Sequence, residues 1–488
     1  MARYNYDRLS AQDNSFLVLE TRNLHMHVAS TQTFELGPLA TPEGGVDFAA
    51  IKRFAASVLH RIPRYRQKLR WIPFENTPVW VDDSHFTVDY HVRHTSLPKP
   101  GSDEQLKHLA ARIMAQQLDR SRPLWEIWVV EGLERGRFAL ISKIHHCMID
   151  GVSGVDIAQV LQSPTPDREI HPSPSYIPRP APTRRELLRD AMIWRLGLPF
   201  RAVRSVRAFQ RETDHLWAEV QLRARALRDM FMAQNAPSSG SPINGRIGPH
   251  RHFDWWSVPL EDVKAIRKAL GCTVNDVVLT IVTTAFREFL MRRQVRPEDI
   301  DFRVQAPVSV RRDDEKGRLG NRVSAWLIRL PLEEADPINQ LERIHKITEE
   351  LKRSQQALGV DMMMSLMEVV PSALMSLGVQ AASGSMNSIV TNVPGPQFPL
   401  YMLGAEMQAI YPQVPLLPNV GLGIALISYN GTICWGFNAD MELVPDLRSF
   451  VELIESSFAR LAEAAGTTAP RRRPKPRSAA PAGSAAGD

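Results

Sequence analysis

Apolar residues recur along this chain at two periods, and the switches between them mark out its elements. Phe138-Ala139-Leu140-Ile141-Ser142-Lys143-Ile144 is a short, mostly apolar run, the signature of a buried strand. Leu106, Leu109, Ala110, Ile113, Met114 and Leu118 instead recur at helical spacing behind Ser102-Asp103-Glu104, a helix start. A second helix is expected to open just after Asp150-Gly151, over Val155 to Leu161. Further on, Leu260, Val263, Ile266 and Leu270 form a helical stripe ended by Gly271, and Thr273-Val274-Asn275-Asp276 has the pattern of a capping box leading into Val277-Val278-Leu279. Between Val369 and Ala439 the only charged residue is Glu406, yet glycine and proline recur, which predicts buried strands and loops. Within that stretch Ile424 to Tyr429 and Thr432 to Phe437 flank Asn430-Gly431, a strong hairpin signal.

The texture breaks twice. From Ser163 to Thr183 prolines 164, 166, 172, 174, 178, 180 and 182 exclude regular structure, so this stretch reads as a linker. An Arg-rich amphipathic stretch follows, from about Arg184 to Met232, and Ala236-Pro237-Ser238-Ser239-Gly240-Ser241-Pro242 closes it. The expected organisation is an α/β half over 1–163, a Pro/Arg-rich linker with amphipathic helices over 164–249, a second α/β half over 250–465, and a disordered basic tail over 466–488.

Composition changes this picture little. A chain of 488 residues suggests two to four domains at roughly 100–200 residues each. Cys147, Cys272 and Cys434 lie far apart with no CxxC pair, which argues against a zinc site or a disulfide framework and for a reducing, intracellular setting. The start, Met-Ala-Arg-Tyr-Asn-Tyr-Asp, carries no apolar signal segment, and no run of about 18 apolar residues predicts a membrane span. A net charge of +6 suits phosphate-bearing substrates, anionic lipid surfaces or nucleic acid, and charge alone does not separate them.

The spacing HxxxD occurs three times, at His85/Asp89, His146/Asp150 and His250/Asp254. Only the middle copy ends an apolar strand run, doubles the histidine and adds glycine directly after the aspartate, in His145-His146-Cys147-Met148-Ile149-Asp150-Gly151. Neighbours on a strand point to opposite faces, so one histidine can address a cavity while the other packs. Gly151 permits a close backbone approach at the turn, and a histidine titrating near neutrality can take a proton from an alcohol. Three other readings compete. Two adjacent histidines and an aspartate could bind a metal, although adjacent strand residues diverge and no further ligand is evident. The His-Asp pair could be wholly structural. Cys147 could be a thiol nucleophile, although it sits inside an apolar segment as a small filler would. Ser153 in Gly151-Val152-Ser153-Gly154 misses the GxSxG elbow, which leaves serine hydrolysis without support.

These residues together resemble the bacterial wax ester synthase/diacylglycerol acyltransferases, whose hallmark HHxxxDG matches residues 145–151 in full. Other blocks follow in order: Leu9-Ser10-Ala11-Gln12-Asp13 with Phe16-Leu17, Met26-His27-Val28, Pro123-Leu124-Trp125-Glu126, and Asn275-Asp276-Val277-Val278-Leu279. Pro307 to Arg311 with Gly320-Asn321, and Asn392-Val393-Pro394-Gly395-Pro396, complete the set, with Thr391 standing where the family usually has serine. The resemblance spans about residues 8–465 apart from the Pro/Arg-rich centre, which is unusually long.

The resemblance implies an α/β fold of two chloramphenicol-acetyltransferase-like halves with the active site in a channel between them. It implies acyl-CoA as donor, diacylglycerol or a long-chain alcohol as acceptor, direct transfer without an acyl-enzyme, and neither metal nor cofactor. His146 is then the general base and His145 a supporting member of the motif. Asp150 orients the loop through a buried ion pair, with Arg311 as candidate partner, and Gly151 completes the turn. Asn275 is a substrate-binding candidate near a helix start, with a plain helix-cap role as the alternative. Trp125 and Leu124 are expected to pack the core. Water-insoluble substrates and the absence of a span imply peripheral attachment on the cytoplasmic side, at an anionic membrane or lipid-droplet surface, with the segment from Arg184 to Phe209 as anchor; no nucleic acid is expected. Two rival functions are a condensation-type acyltransferase fed by a carrier protein and a non-enzymatic lipid-surface protein. The NDVVL block and the absence of a carrier-like segment weigh against the first, and the intact HHxxxDG against the second.

Overall fold

A computed structural model describes residues 6–74, 77–148, 160–196, 240–309, 323–358 and 384–467, and within them the two periods resolve into three sheets. The amino-terminal part runs β1 (Asp7–Arg8), α1 (Ala11–Leu19), β2 (His27–Glu35), α2 (Phe48–Val58), β3 (Gln67–Trp71), β4 (Pro78–Asp82), α3 (Val88–His91), β5 (Val92–Ser96), α4 (Asp103–Ala115), β6 (Trp125–Leu133) and β7 (Arg137–His145). After α5 (Arg184–Leu196) come β8 (Arg251–Pro259), α6 (Leu260–Leu270), α7 (Val274–Arg292), β9 (Arg303–Ser309), β10 (Val323–Arg329) and α8 (Pro337–Leu358). The chain finishes with β11 (Ser388–Pro394), β12 (Tyr401–Met402), β13 (Ala405–Gln413), β14 (Leu422–Tyr429), β15 (Thr432–Asp440) and α9 (Leu447–Ala464).

The local signals hold at atomic detail. Ser102 caps α4 in a capping box with Gln105, and Thr273 caps α7 in another with Asp276. Gly271 ends α6 in the left-handed conformation, at φ 64°, where a side chain would be strained. Asn430 and Gly431 take positive φ and join β14 to β15, as a two-residue hairpin turn requires. One helix is shorter than its stripe: α4 stops at Ala115, and Leu118 is buried beyond it. The buried Lys143 ammonium accounts for the stop, donating to the Ile113 and Gln116 carbonyls at 2.9 and 3.0 Å. The helix expected over Val155–Leu161 lies outside the described residues except at its end.

Chain order and spatial order part company in the sheets. The first six-stranded sheet reads β12-β13-β2-β7-β6-β5, so two strands from the carboxy-terminal part complete the amino-terminal sheet. The second reads β10-β9-β11-β14-β15-β8, carries α6, α7 and α9 over one large apolar core, and keeps its central Trp435 fully buried. β13 crosses β15 at close range: a Cβ on Gly436 would stand 1.8 Å from the Pro412 carbonyl oxygen, so only glycine fits there. The halves also meet where α4 packs on β8. Phe253 and Trp255 join the apolar cluster of Leu109, Ala110 and Ile113, and Lys107 pairs with Asp254 at 2.5 Å with both side chains buried.

The Pro-rich linker has no helix or strand over its described part but is docked rather than free. Tyr176 donates to the Arg66 and Asp83 carbonyls, and Arg179 forms a two-point pair with Asp82. α5 then lies over the small sheet β1-β4-β3, burying Leu187 and Ala191 against Tyr6, Ile72, Val79 and Val81, while Asp190 accepts the Tyr6 hydroxyl. Among the described residues no single helix is long and apolar enough to cross a membrane.

Candidate functional site

β2 begins at His27 and β7 ends at His145, and their antiparallel register sets these two residues opposite each other. α1, capped by Ser10 accepting the Asp13 amide, delivers Glu20 directly into this neighbourhood. The Glu20 carboxylate is almost wholly buried and is ringed by donors. Oε1 accepts the Met26 amide at 2.9 Å and lies 3.2 Å from His145 Nε2 and 3.6 Å from His27 Nε2. Oε2 accepts from Arg120 through Nε at 3.2 Å and Nη2 at 2.6 Å, and from Gln117 at 3.3 Å. Burial alone would raise the Glu20 pKa. The hydrogen bond from His145, the fields of His145 and His27, and the Arg120 guanidinium together outweigh burial and hold it well below the usual carboxylate range.

The strand ends at His145, and a 3-10 turn spans His146–Met148. The two histidines therefore diverge because the chain turns between them, not because a pleat alternates. His145 is buried, and its Nδ1 accepts the Cys147 amide at 3.1 Å. That bond leaves the ring proton on Nε2, facing Glu20. The His146 amide donates to the Met26 carbonyl at 2.7 Å. Both amides at the start of the turn thus trace back to one carboxylate, through Met26 on one side and His145 on the other.

The His146 ring stacks on Phe16 of α1 with centroids 4.0 Å apart and is only partly buried by its surroundings. Desolvation, reinforced by the neighbouring His145 and opposed by its own backbone, pulls its pKa down to about 4. At neutral pH it is an uncharged imidazole with a lone pair available. Beneath it His27 is fully buried and is held well below 6.5 by burial and the field of Lys143, and burial lowers His25 in the same direction. Burial pushes the Cys147 thiol far up, with the fields of Asp13 and Glu20 adding to it, so it stays protonated and apolar in character.

The other two HxxxD copies are spent elsewhere. Asp89 pairs with Lys52 at 2.5 Å, and Asp254 of β8 is the partner of Lys107 on α4. Trp125 and Leu124 are core residues, with Trp125 Nε1 donating to the Tyr65 carbonyl at 2.8 Å and its ring stacked on His91. Asn275 is not the helix cap. Thr273 and Asp276 fill that role, and Asn275 stands between them in the first turn of α7, partly exposed. Asp150, Gly151 and the candidate partner Arg311 lie outside the described residues. No spacing or composition signal in the sequence marks Glu20, His25, His27 or Arg120 as a site residue. The block Met26-His27-Val28 is the one trace of them, and no spacing rule pairs it with His145.

Residues 9–278 match the wax ester synthase/diacylglycerol acyltransferase catalytic domain, and residues 319–462 match the C-terminal domain of the same family. The chain is 30% identical over 461 residues to "Probable diacylglycerol O-acyltransferase tgs1" of Mycobacterium tuberculosis, covering 93% of this chain and 96% of that one. It is 31% identical over 469 residues to tgs2 of the same organism, covering 94% of this chain and all of that one. Among solved structures it is similar to the wax ester synthase/diacylglycerol acyltransferase of Marinobacter aquaeolei VT8, with a TM-score of 0.64 at 26% identity over 94% of this chain and 100% of that one. The first condensation domain of the calcium-dependent antibiotic synthetase shares the fold at a TM-score of 0.58 and 15% identity, over 95% and 97% of the two chains.

Two outcomes follow from the buried ionisable groups. His91 and His146 titrate at about 4 in the folded chain against an ordinary value of 6.5, and His27 is also depressed. As pH falls the unfolded chain takes up these protons first, so stability is full above 6.5 and is lost between there and about 4. For the wholly buried His91 the loss approaches about 3 kcal/mol. Melting temperature measured against pH checks this, and a flat profile across that window would show that the histidines take up protons as readily in the fold as in the unfolded chain. Glu20→Ala, in turn, strips the counter-charge from Arg120 and should cost about 3–5 kcal/mol in urea unfolding. It should also loosen the His145 tautomer, visible in the imidazole nitrogen NMR shifts; an unchanged tautomer would mean that the Cys147 amide alone fixes the ring.

Proposed function

The chain belongs to the wax ester synthase/diacylglycerol acyltransferase family, and from that premise we propose that it moves a fatty acyl group from acyl-CoA directly onto the hydroxyl of diacylglycerol or a long-chain alcohol, with His146 as general base. The observation that carries the proposal is the state of His146: a neutral imidazole on a turn whose two leading amides are both pinned. In the proposed step an imidazole nitrogen takes the hydroxyl proton as the alcohol oxygen bonds to the thioester carbonyl carbon. The tetrahedral intermediate then collapses, the carbon–sulfur bond breaks, and the imidazolium returns the proton to the CoA sulfur. Proton and leaving group balance without an acyl-enzyme. The protonated, buried Cys147 supports that economy, since the thiolate is the form that attacks.

Other motif residues take supporting parts in this reading. Asn275, in the first turn of α7, is suited to hydrogen-bond the oxyanion or a substrate carbonyl. Asp150 orients the loop after His146, and Gly151 lets the backbone close there. The site belongs in a channel between the two sheets, where both substrates meet.

His146→Ala should abolish ester formation, while His145→Ala, which loosens the turn without removing the base, should retain a measurable fraction. A general base contributes on the order of 10²–10⁴-fold. The assay offers palmitoyl-CoA with hexadecanol and with diacylglycerol in parallel and separates the products by chromatography. Equal loss in two well-folded variants would remove His146 from its role.

Peripheral attachment to a lipid surface is the second part of the proposal, and α5 supports it. Its inner face is committed to packing, but its outer face presents Arg185, Arg189, Met192 and Ile193, the last two 65% and 54% exposed. Cations followed by exposed apolar side chains suit an anionic interface, at roughly 1 kcal/mol per basic residue. The remainder of the Arg184–Phe209 anchor lies outside the described residues. Replacing Arg185 and Arg189 with glutamine should weaken co-sedimentation with vesicles containing phosphatidylglycerol by about 10- to 30-fold. Binding that is unchanged by the substitutions would assign α5 to packing alone.

A further inference from the structure

α6 carries two stripes. Leu260, Val263 and Ile266 are buried in the core of the second half. Lys264, Arg267, Lys268 and Gly271 follow one another at helical spacing along the adjoining flank, and with Cys272 they line a hollow of about 500 Å³. The hollow sits in a corner: α6 ends at the left-handed Gly271, and α7 leaves at 97° to it. Its size falls within the range of small-molecule sites.

The charge of this corner is one-sided. Among the described residues no carboxylate lines it. Lys264 reaches Glu261 at 2.8 Å, but both groups are exposed, so that pair holds the lysine only weakly. Arg267 is anchored at the floor by Nε–H donating to the Cys272 carbonyl at 3.3 Å, which uses one of its five N–H donors. Burial pushes the Cys272 thiol up to about 11, so the floor brings no negative charge at neutral pH. Asp276, the acid in the first turn of α7, is turned the other way: it accepts the Thr273 amide and contacts Thr348 and His345 of α8 at 2.9 and 2.8 Å. Favourable placement of cations at a helix C-terminus explains a basic last turn. It does not explain why three cations converge on one hollow at the corner where Cys272 leads into α7.

We propose that this hollow holds the phosphorylated end of the CoA donor, with Lys264, Arg267 and Lys268 on its ribose phosphate and diphosphate, and that the thioester arm runs past Cys272 toward the first turn of α7. The inference rests on the acyl-CoA reading above and adds where the donor is gripped. Charge-assisted bonds from a guanidinium and two ammonium groups are the recognised chemistry for phosphate esters.

The test compares palmitoyl-CoA with palmitoyl-pantetheine, a donor that lacks the nucleotide and its phosphates, in wild type and in the variant Lys264→Gln/Arg267→Gln/Lys268→Gln. Calorimetric binding of CoA and of dephospho-CoA is measured alongside, and melting temperature verifies the fold. The advantage of palmitoyl-CoA over palmitoyl-pantetheine in kcat/KM should fall about 10- to 100-fold in the variant, chiefly through KM. CoA affinity should fall in step, and the preference for CoA over dephospho-CoA should shrink. A folded variant that keeps the full advantage and affinity would overturn the site. If wild type binds CoA in a way that depends on these three cations yet turns over no palmitoyl-CoA, the site stands and the acyl-transfer reading fails.

Discussion

Placing a carboxylate out of water is expensive, and the amino-terminal half is arranged around having done so once, at Glu20. Its burial is tolerable only because donors surround both oxygens: the Met26 amide, the Arg120 guanidinium, the Gln117 amide and the Nε2 side of His145. Those donors come from separate elements: the segment before β2, the loop after α4 and the end of β7. None is oriented until the sheet has formed, so ion and sheet specify each other. The return on that desolvation is positional. The carboxylate and the Cys147 amide hold the two nitrogens of the His145 ring and so its tautomer, and Met26 holds the His146 amide, so the turn bearing His146 has little freedom left.

The same burial sets the chemistry available. Desolvation drives the imidazoles at positions 27 and 146 toward the neutral form, and the buried Lys143 ammonium reinforces this at His27. A base with a pKa near 4 sacrifices some driving force for proton abstraction compared with one poised near neutrality. In exchange it is fully unprotonated under any physiological condition, and the imidazolium it forms is a strong acid toward a departing thiolate. For a reaction in which the proton is taken up and given back within one turnover, that trade favours the second half of the step.

What the sequence made legible was local. The helix start at Ser102, the capping box at Thr273, the helix end at Gly271 and the turn at Asn430-Gly431 depend on neighbours within a few residues, and each appears where the pattern put it. The middle HxxxD was separable from its copies because the apolar run before it encodes a buried strand, and the structure commits the other two aspartates to lysines. Pairing between strands distant in the chain was not legible. Nothing in residues 405–413 says that they pair with β2 rather than with their chain neighbours, because the register is chosen by which face must be buried once both partners exist. Glu20 escaped notice for the same reason: a glutamate after an apolar helix is usually solvated, and only the His27–His145 register makes it a hub.

The crossing of β13 has a mechanical consequence for a site that must admit two lipidic substrates. β13 is hydrogen-bonded to β2 from Gln413 to Met407, and it passes so close over β15 that Gly436 cannot carry a side chain. Tyr429 of β14 adds a hydroxyl bond to the Met407 carbonyl, and Trp255 of β8 stacks on Tyr411 of β13 at 4.5 Å. Swinging the two sheets apart would leave β13 on β2 but break both aromatic anchors and the buried Lys107–Asp254 pair, and breaking a buried pair is costly. The sheets therefore act as a fixed frame on which His146 from one half and the first turn of α7 from the other keep their separation. In such a frame positional precision comes from the scaffold, and adaptation to acyl chains of different length falls to side chains and loops along the walls rather than to movement of the halves.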